Sequence, residues 1–226
     1  MNLAAPLLLL SFCCLPQEEQ PPAAPVQQPY RELSAEERES FLKEMAAALK
    51  SIRSLRAVFV QERHLSLFVE PLRSRGVCSF ERPGRLRWEV TEPYASLLIL
   101  DGRGVAKFDR VEGRPRKLEL GGADLLREVL GQITDWMRGD FSRAGESYRL
   151  KLERGEDYRL SLTPRSKELR EMIHAVELSI NPKTHRVTQV VIREPGQDDL
   201  SIRFEEERIN LEFEPRTFDL ERPRWK

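Results

Sequence analysis

Two segments of the chain carry apolar residues at helical spacing. In the first, over residues 34–52, Ser34 and Glu37 have the spacing of a capping box, which predicts that a helix begins there. Its apolar residues recur every three or four positions and share one face: Phe41, Leu42, Met45, Leu49 and Ile52. Such a stripe needs an apolar surface to lie against.

The second helix is predicted over residues 124–138, with Asp124 as its cap and Gly139 as its end. Its apolar face is wide: Leu125, Leu126, Val129, Leu130, Ile133, Trp136 and Met137. A wide apolar face also predicts packing against a large apolar surface.

Elsewhere the apolar residues alternate with polar ones, as in half-buried strands. Leu86 and Trp88, for example, alternate with Arg85 and Arg87. About five strands precede the second helix and about five follow it, with residues 111–123 as a loop and residues 217–220 as the last strand. Because the turns are short, neighbouring strands are expected to pair antiparallel. A sheet with so many strands is expected to curl. We expect a mainly β, α+β fold: a strongly curved antiparallel sheet, or half-open β-barrel, with the helices as its lid.

The first 33 residues differ in composition from the rest. Residues 1–16 contain an apolar run from Leu3 to Leu15, too short to span a bilayer, which needs roughly 20 residues. We interpret it as an export signal. Residues 17–33 are rich in proline and glutamine and are predicted to be a linker to one domain over residues 34–226. Cys13 or Cys14 could carry a lipid anchor, whereas Cys78 is expected to be a small buried residue.

The residue types that catalysis or metal binding would need are not grouped in this sequence. The chain has three histidines, none with another His or Cys at ligand spacing, and no phosphate loop or nucleophile elbow. Lys and Arg number 37, as do Asp and Glu, so there is no broad basic field for nucleic acid. We expect a protein that is not an enzyme, without a metal or another cofactor.

Arg82 stands apart from the other arginines. Its position in the alternation puts it on the side of Cys78 and Phe80, facing the apolar interior. A cation there needs acceptors, and backbone carbonyls of a lid segment would serve. We therefore predict that Arg82 is a latch whose bonds break when the cavity opens.

The block from Gly76 to Tyr94, continuing through Asp101-Gly102, resembles the signature region of the outer-membrane lipoprotein carrier family, LolA. Phe59-Val60-Gln61 is similar to that family's opening strand. The resemblance extends over residues 38–222 and includes three shorter stretches: Leu160 to Pro164, Glu177 to Ile180, and Thr217-Phe218.

This resemblance implies a periplasmic carrier that holds the acyl chains of lipoproteins. Its partners would be an inner-membrane ABC transporter that releases lipoproteins and an outer-membrane acceptor lipoprotein, and we expect a monomer. It also implies that Arg82 holds the lid closed when the cavity is empty. Three alternatives stay open: a lipid-anchored acceptor similar to LolB, a carrier of another lipid, and a module of the same fold that senses envelope stress.

The predicted cavity would bind lipid by apolar burial, at about 0.8 kcal/mol per CH₂ group taken from water. Release is easier if the empty cavity is partly filled by its own helix. We predict eight lining residues: Phe59, Phe80, Trp88, Leu98, Leu100, Leu126, Leu130 and Ile133.

Overall fold

The computed structural model describes residues 29–120 and 123–223, without the side chains of residues 123–129 and Gln197. Its main element is one 12-stranded sheet in which every neighbouring pair is antiparallel. The strands are β1 (Arg31–Glu32), β2 (Ser54–His64), β3 (Leu72–Glu81), β4 (Arg85–Glu92), β5 (Ser96–Asp101), β6 (Gly104–Val111), β7 (Arg114–Leu118), β8 (Tyr148–Arg154), β9 (Tyr158–Pro164), β10 (Ala175–Ile180), β11 (Val187–Arg193) and β12 (Asp199–Ile209).

The strand order is β1-β8-β9-β10-β11-β12-β2-β3-β4-β5-β6-β7, so β1 and β7 are the two edges and the sheet does not close. It bends strongly, because Leu98 of β5 and Leu178 of β10 line the same cavity although five strands lie between them. One face is therefore concave and the other convex. The predicted half-open sheet is confirmed.

Two long helices cover the concave face: α1 (Ala35–Leu49) and α2 (Ala123–Met137). The predicted capping box starts α1, since Glu37 N donates to Ser34 Oγ at 3.2 Å and Ser34 N donates to Glu37 Oε2 at 2.8 Å. The apolar stripe of α1 packs on β8–β10, where Met45 and Leu49 are buried. Short helices α3 (Ala144–Ser147) and α4 (Lys167–Met172) and a 3₁₀ turn (Pro195–Gln197) complete the elements.

The convex face carries a second packed layer that the alternation does not predict. Residues 217–220, expected to form a strand, belong to an irregular C-terminal segment. Phe218 and Leu220 of this segment pack on Leu97 and Ile99 of β5. Because the segment covers this face, it buries apolar residues on both sides of β5.

The C-terminal segment also buries charge that the alternation assigns to an outer face. Arg87 and Glu89 are 5% and 6% exposed, and Arg87 Nη2 lies 2.9 Å from Glu89 Oε2. Arg87 Nη1 donates to Thr217 O at 3.1 Å, which ties the segment to β4. This ion pair is a structural part of the fold rather than a solvated surface pair.

Two further elements differ from the sequence-based expectation. Residues 111–123, expected to form a loop, contain β7, which pairs with β6. Residues Arg31–Glu32, placed in the linker, form β1 on the edge of β8. Residues 1–16, with Cys13 and Cys14, and most of the linker lie outside the described residues.

Candidate functional site

The candidate site is a cavity of about 250 Å³ between the helices and the concave face of the sheet. Its wall is almost wholly apolar and is built by strands from both halves of the sheet together with α2. The lining residues are Gln61, Leu86, Trp88, Leu98, Leu130, Gln132, Ile133, Trp136, Met137, Tyr148, Ile173, Val176, Leu178, Val187, Val190, Ile192, Leu200, Ile202 and Phe204.

Four of the predicted lining residues lie in this wall: Trp88, Leu98, Leu130 and Ile133. Phe59, Phe80 and Leu100 do not; they are buried in a core cluster that also contains the wall residues Leu86, Leu130 and Ile202. The side chain of Leu126 lies outside the described residues. The structure thus brings half of the predicted set to one surface, and contact of any of them with lipid stays a prediction.

The second half of the sheet contributes wall residues that the sequence reasoning did not select. Val190, Ile192, Leu200 and Phe204 on β11 and β12 all face the cavity. Leu200 and Phe204 alternate with polar neighbours as Trp88 does, so the same signal is present on β12. On β11 the signal is weaker, because Val190 and Ile192 flank the apolar Val191. Their role became evident only where the sheet's curvature brings β11 and β12 opposite α2.

An aromatic stack includes two residues of the cavity wall, Trp88 and Phe204. The rings of Phe59 and Trp88 are stacked at 4.1 Å between centroids, and Phe204 meets Trp88 edge-on at 6.1 Å. Phe59 lies across Gly76 of the neighbouring strand, where a Cβ would overlap both the Phe59 ring and the Glu89 carbonyl oxygen. The absence of a side chain at Gly76 therefore makes room for the stack.

Two amides are the notable polar groups in the wall. Tyr148 donates from its hydroxyl to Gln132 Oε1 at 2.9 Å. Among the described residues, the side-chain amide of Gln61 has no hydrogen-bond partner, although Gln61 is only partly exposed. An amide in such surroundings gains from a ligand that offers a hydrogen bond.

Arg82 makes the type of contact that its place in the alternation predicts. Its Nε donates to Ile52 O at 2.6 Å and its Nη2 donates to Leu49 O at 2.9 Å, at the C-terminal end of α1. Burial lowers the pKa of Arg82, and repulsion from Arg138 adds to the effect. A guanidinium is basic enough to remain charged at neutral pH all the same.

Arg138, just beyond α2, joins the same region by donating from Nη1 to Pro83 O at 2.8 Å. Gly139 packs so closely on α1 that a Cβ would lie 3.0 Å from Leu49 Cδ1. We call these five residues the helix junction: Leu49, Ile52, Arg82, Arg138 and Gly139. It holds the C-terminal ends of both helices against the β3–β4 turn.

Cys78 lies on the concave side of β3 and is fully buried. Burial raises the pKa of its thiol to about 12, so it stays protonated at neutral pH. Within residues 29–120 and 123–223, no cluster of His, Cys, Asp and Glu could hold a metal ion. None of the helices described there has both the length and the apolar character needed to cross a membrane.

Several solved structures resemble this one at low sequence identity. A LolA superfamily protein of Nitrosomonas europaea is 13% identical, with a TM-score of 0.42, over 80% of this chain and 96% of that one. The Mycobacterium tuberculosis lipoprotein LppX is 9% identical, with a TM-score of 0.45, over 76% of this chain and 95% of LppX. The MucA/MucB complex structure of Pseudomonas aeruginosa is 19% identical, with a TM-score of 0.37, over 80% of this chain and 59% of the matched chain.

Sequence comparison is more specific. An outer-membrane lipoprotein carrier protein of Dechloromonas aromatica (strain RCB) is 37% identical over 57 residues, which are 25% of this chain and 27% of the relative. The match thus spans about a quarter of that relative's length. The family model of the outer membrane lipoprotein carrier protein LolA matches residues 50–221, which include most of the sheet and α2. The chain belongs to the LolA family.

Proposed function

We propose that this protein is a periplasmic carrier that holds the acyl chains of lipoproteins in the cavity under α2. LolA family carriers are binding proteins rather than enzymes, and they are periplasmic. The observation that carries the proposal is the cavity itself: an almost wholly apolar wall, enclosed by helices, in a domain whose remaining core is packed. Burial of methylene groups against such a wall supplies affinity without any specific chemistry.

The size of the cavity supports a closed, empty form. Ligand pockets usually measure about 300–1,000 Å³, and this one measures about 250 Å³. Accommodating acyl chains therefore requires a helix to move outward. Because the helix junction holds the C-terminal ends of both helices against the β3–β4 turn, we expect it to open when the helices move outward.

Arg82 would couple this motion to cargo. Its two bonds to α1 carbonyls stabilise the closed arrangement, so filling the cavity must compete with them. A carrier benefits from that competition because it lowers the net affinity and allows release. Cargo would arrive from an inner-membrane ABC transporter and leave to an outer-membrane acceptor lipoprotein.

The direct experiment is native mass spectrometry of the protein isolated from the periplasm of its own cells. We expect a bound fraction whose mass corresponds to a lipoprotein or its acylated N-terminal peptide. Recovery of a glycolipid instead would identify a carrier of another lipid. Recovery of the protein without any lipid, together with failure to take up an added acylated peptide, would refute a carrier function.

Filling the cavity should abolish binding. Val190 faces the cavity from β11, and the next residue, Val191, faces the convex side of the same strand. We expect V190W to place its indole in the empty space and to weaken binding of a fluorescent acyl probe by at least about tenfold, the equivalent of 1.4 kcal/mol. V191W is the matched control and should bind the probe normally. Equal binding by both variants would show that the probe lies elsewhere.

Gln61 should distinguish lipids by their polar linkages. We expect its unpartnered amide to donate to an ester or amide carbonyl of the cargo. Q61L would remove one hydrogen bond worth about 0.5–1.5 kcal/mol, lowering the preference for an acylated peptide over a plain fatty acid by about 3- to 10-fold in competition titrations. Q189L, on the convex face, where Gln189 donates to Ser201, is the control. An unchanged preference in Q61L would exclude this contact.

A further inference from the structure

Apolar side chains are exposed at one rim of the sheet. The loop between β2 and β3 presents Leu67, which is 91% exposed, Phe68 at 58%, and Val69, which is fully exposed. Leu72 follows at the start of β3, and Tyr94, 85% exposed, lies in the β4–β5 loop. Because Arg75 of β3 pairs with Glu92 of β4, both loops are at the same end of the strands. We call these five residues the apolar rim: Leu67, Phe68, Val69, Leu72 and Tyr94.

The loop that carries the rim is held in place by specific bonds. Phe68 N donates to Leu65 O at 2.9 Å, which closes a turn. Ser66 N donates to Asp198 Oδ1 at 2.7 Å, which fixes the loop to the β11–β12 connection. Ion pairs between Arg63 and Glu194 and between Arg73 and Glu62 brace the strands below. The loop is thus built so that its apolar tip projects outward.

The cavity lining reaches this rim, as it also reaches the opposite end of the strands at Leu86 and Val187. Ile173 and Leu200, which line the cavity, lie next to the strand ends there. Ile209 is a large exposed apolar residue at the opposite rim, where it pairs with Leu55 near the start of β2. Tyr30 packs beside Gly155 at that opposite rim too. The N-terminal end of the described chain therefore lies at the rim opposite to the apolar rim.

We infer that the apolar rim inserts into the headgroup region of a lipid bilayer, so that the cavity faces the membrane surface. A stable protein interface takes about 20–30 residues on each side, whereas the rim consists of five exposed apolar side chains on two neighbouring loops. Leu67, Phe68 and Val69 would enter the acyl boundary, and Tyr94, with an apolar ring and a polar end, suits the interface. The inference rests on the proposed function only in that lipid cargo would pass between this bilayer and the cavity.

Charge contributes little to the expected binding. Among the described residues, Glu70, which follows Val69, is exposed and has no ion-pair partner, and the next charges, Arg63 with Glu194 and Arg73 with Glu62, are paired. Insertion should therefore follow apolar burial rather than attraction to anionic headgroups. Binding to purely zwitterionic phosphatidylcholine vesicles should persist at high salt, where exposed charges are screened.

The first test reads out insertion at single positions in the full chain. V69W and I209W each place an indole at an exposed apolar site, one on the rim and one at the opposite end. With phosphatidylcholine vesicles containing brominated acyl chains, we expect quenching of the added fluorescence in V69W and none in I209W. This readout is local, so membrane binding by residues 1–28 does not imitate it. Absence of quenching in V69W, or equal quenching in both variants, would overturn the inference.

The second test removes the apolar tip. The double variant L67E/V69E should lose at least about tenfold in its partition to phosphatidylcholine vesicles, while I209E should not. Binding of the acyl probe in solution should stay normal in L67E/V69E, because neither residue lines the cavity. If L67E/V69E binds the probe normally and also partitions to vesicles normally, insertion of the apolar rim is refuted and the proposed function stays intact. Binding only to anionic vesicles, abolished by salt, would also refute it.

Discussion

Replacement of Gly76 by alanine is expected to destabilise the protein by about 3 kcal/mol, the upper part of the range for an overpacked core. The added Cβ would overlap the carbonyl oxygen of Glu89 on β4 and the ring of Phe59 on β2. The first of these is backbone and cannot rotate away. Relief therefore requires β3 and β4 to separate where the register shifts between Arg75 and Gly76. Urea unfolding followed by tryptophan fluorescence measures the loss.

Gly102 provides the control for this prediction. It lies in the β5–β6 turn, a Cβ there would meet nothing within 4 Å, and its φ is not in the left-handed region. G102A should change the free energy of unfolding by less than about 0.5 kcal/mol, as open surface positions do. The double variant F59L/G76A should recover little stability, because the overlap with Glu89 persists. Near-normal stability of G76A would show that the strands can separate at low cost.

The second large effect is expected for R82L, in release of cargo. The variant removes two charged hydrogen bonds to Leu49 O and Ile52 O, each worth about 1.5–3 kcal/mol. These bonds exist in the closed form, so their loss removes part of the free energy that favours closure and expulsion. At 1.4 kcal/mol per factor of ten, we expect transfer of a bound acylated peptide to acceptor vesicles to slow by at least about tenfold.

R85L is the matched control for R82L. Arg85 lies across the same turn, but it faces the convex side, pairs with Glu81 and contacts the Phe218 ring. The R85L variant should transfer cargo at the normal rate. Circular dichroism and the unfolding midpoint of empty R82L show whether the sheet remains intact. If folded R82L releases cargo as fast as the unchanged protein, Arg82 contributes to stability and is no latch.

Local features of the sequence predicted a large part of this structure. Ser34 and Glu37 marked the first turn of α1, because a capping box needs only neighbouring residues. The alternation assigned Trp88 to the concave side and gave Arg82 an inward direction, because side chains in a strand point to opposite faces in turn. These features depend on the chain within a few residues, so one sequence is enough to find them.

The alternation could not separate cavity wall from packed core. Phe59, Phe80 and Leu100 lie on the same face of the sheet as Trp88 and Leu98, yet they are buried and do not line the cavity. An alternation of period two identifies the face to which a side chain points, but not its depth, that is, whether it lines the cavity or lies in the packed core. Depth depends on where the sheet bends and where α2 lies, and both are set by contacts between residues far apart in sequence.

The convex face shows most clearly what the alternation of apolar and polar residues cannot predict. Arg87 and Glu89 have the pattern of a solvated strand face, but the C-terminal segment around Thr217 and Phe218 covers them. The sequence alone determined the family, the two helices and the direction in which most strand residues point. Only the tertiary structure decided which residues enclose empty space and which charges lose contact with water, because both depend on the packing of distant segments.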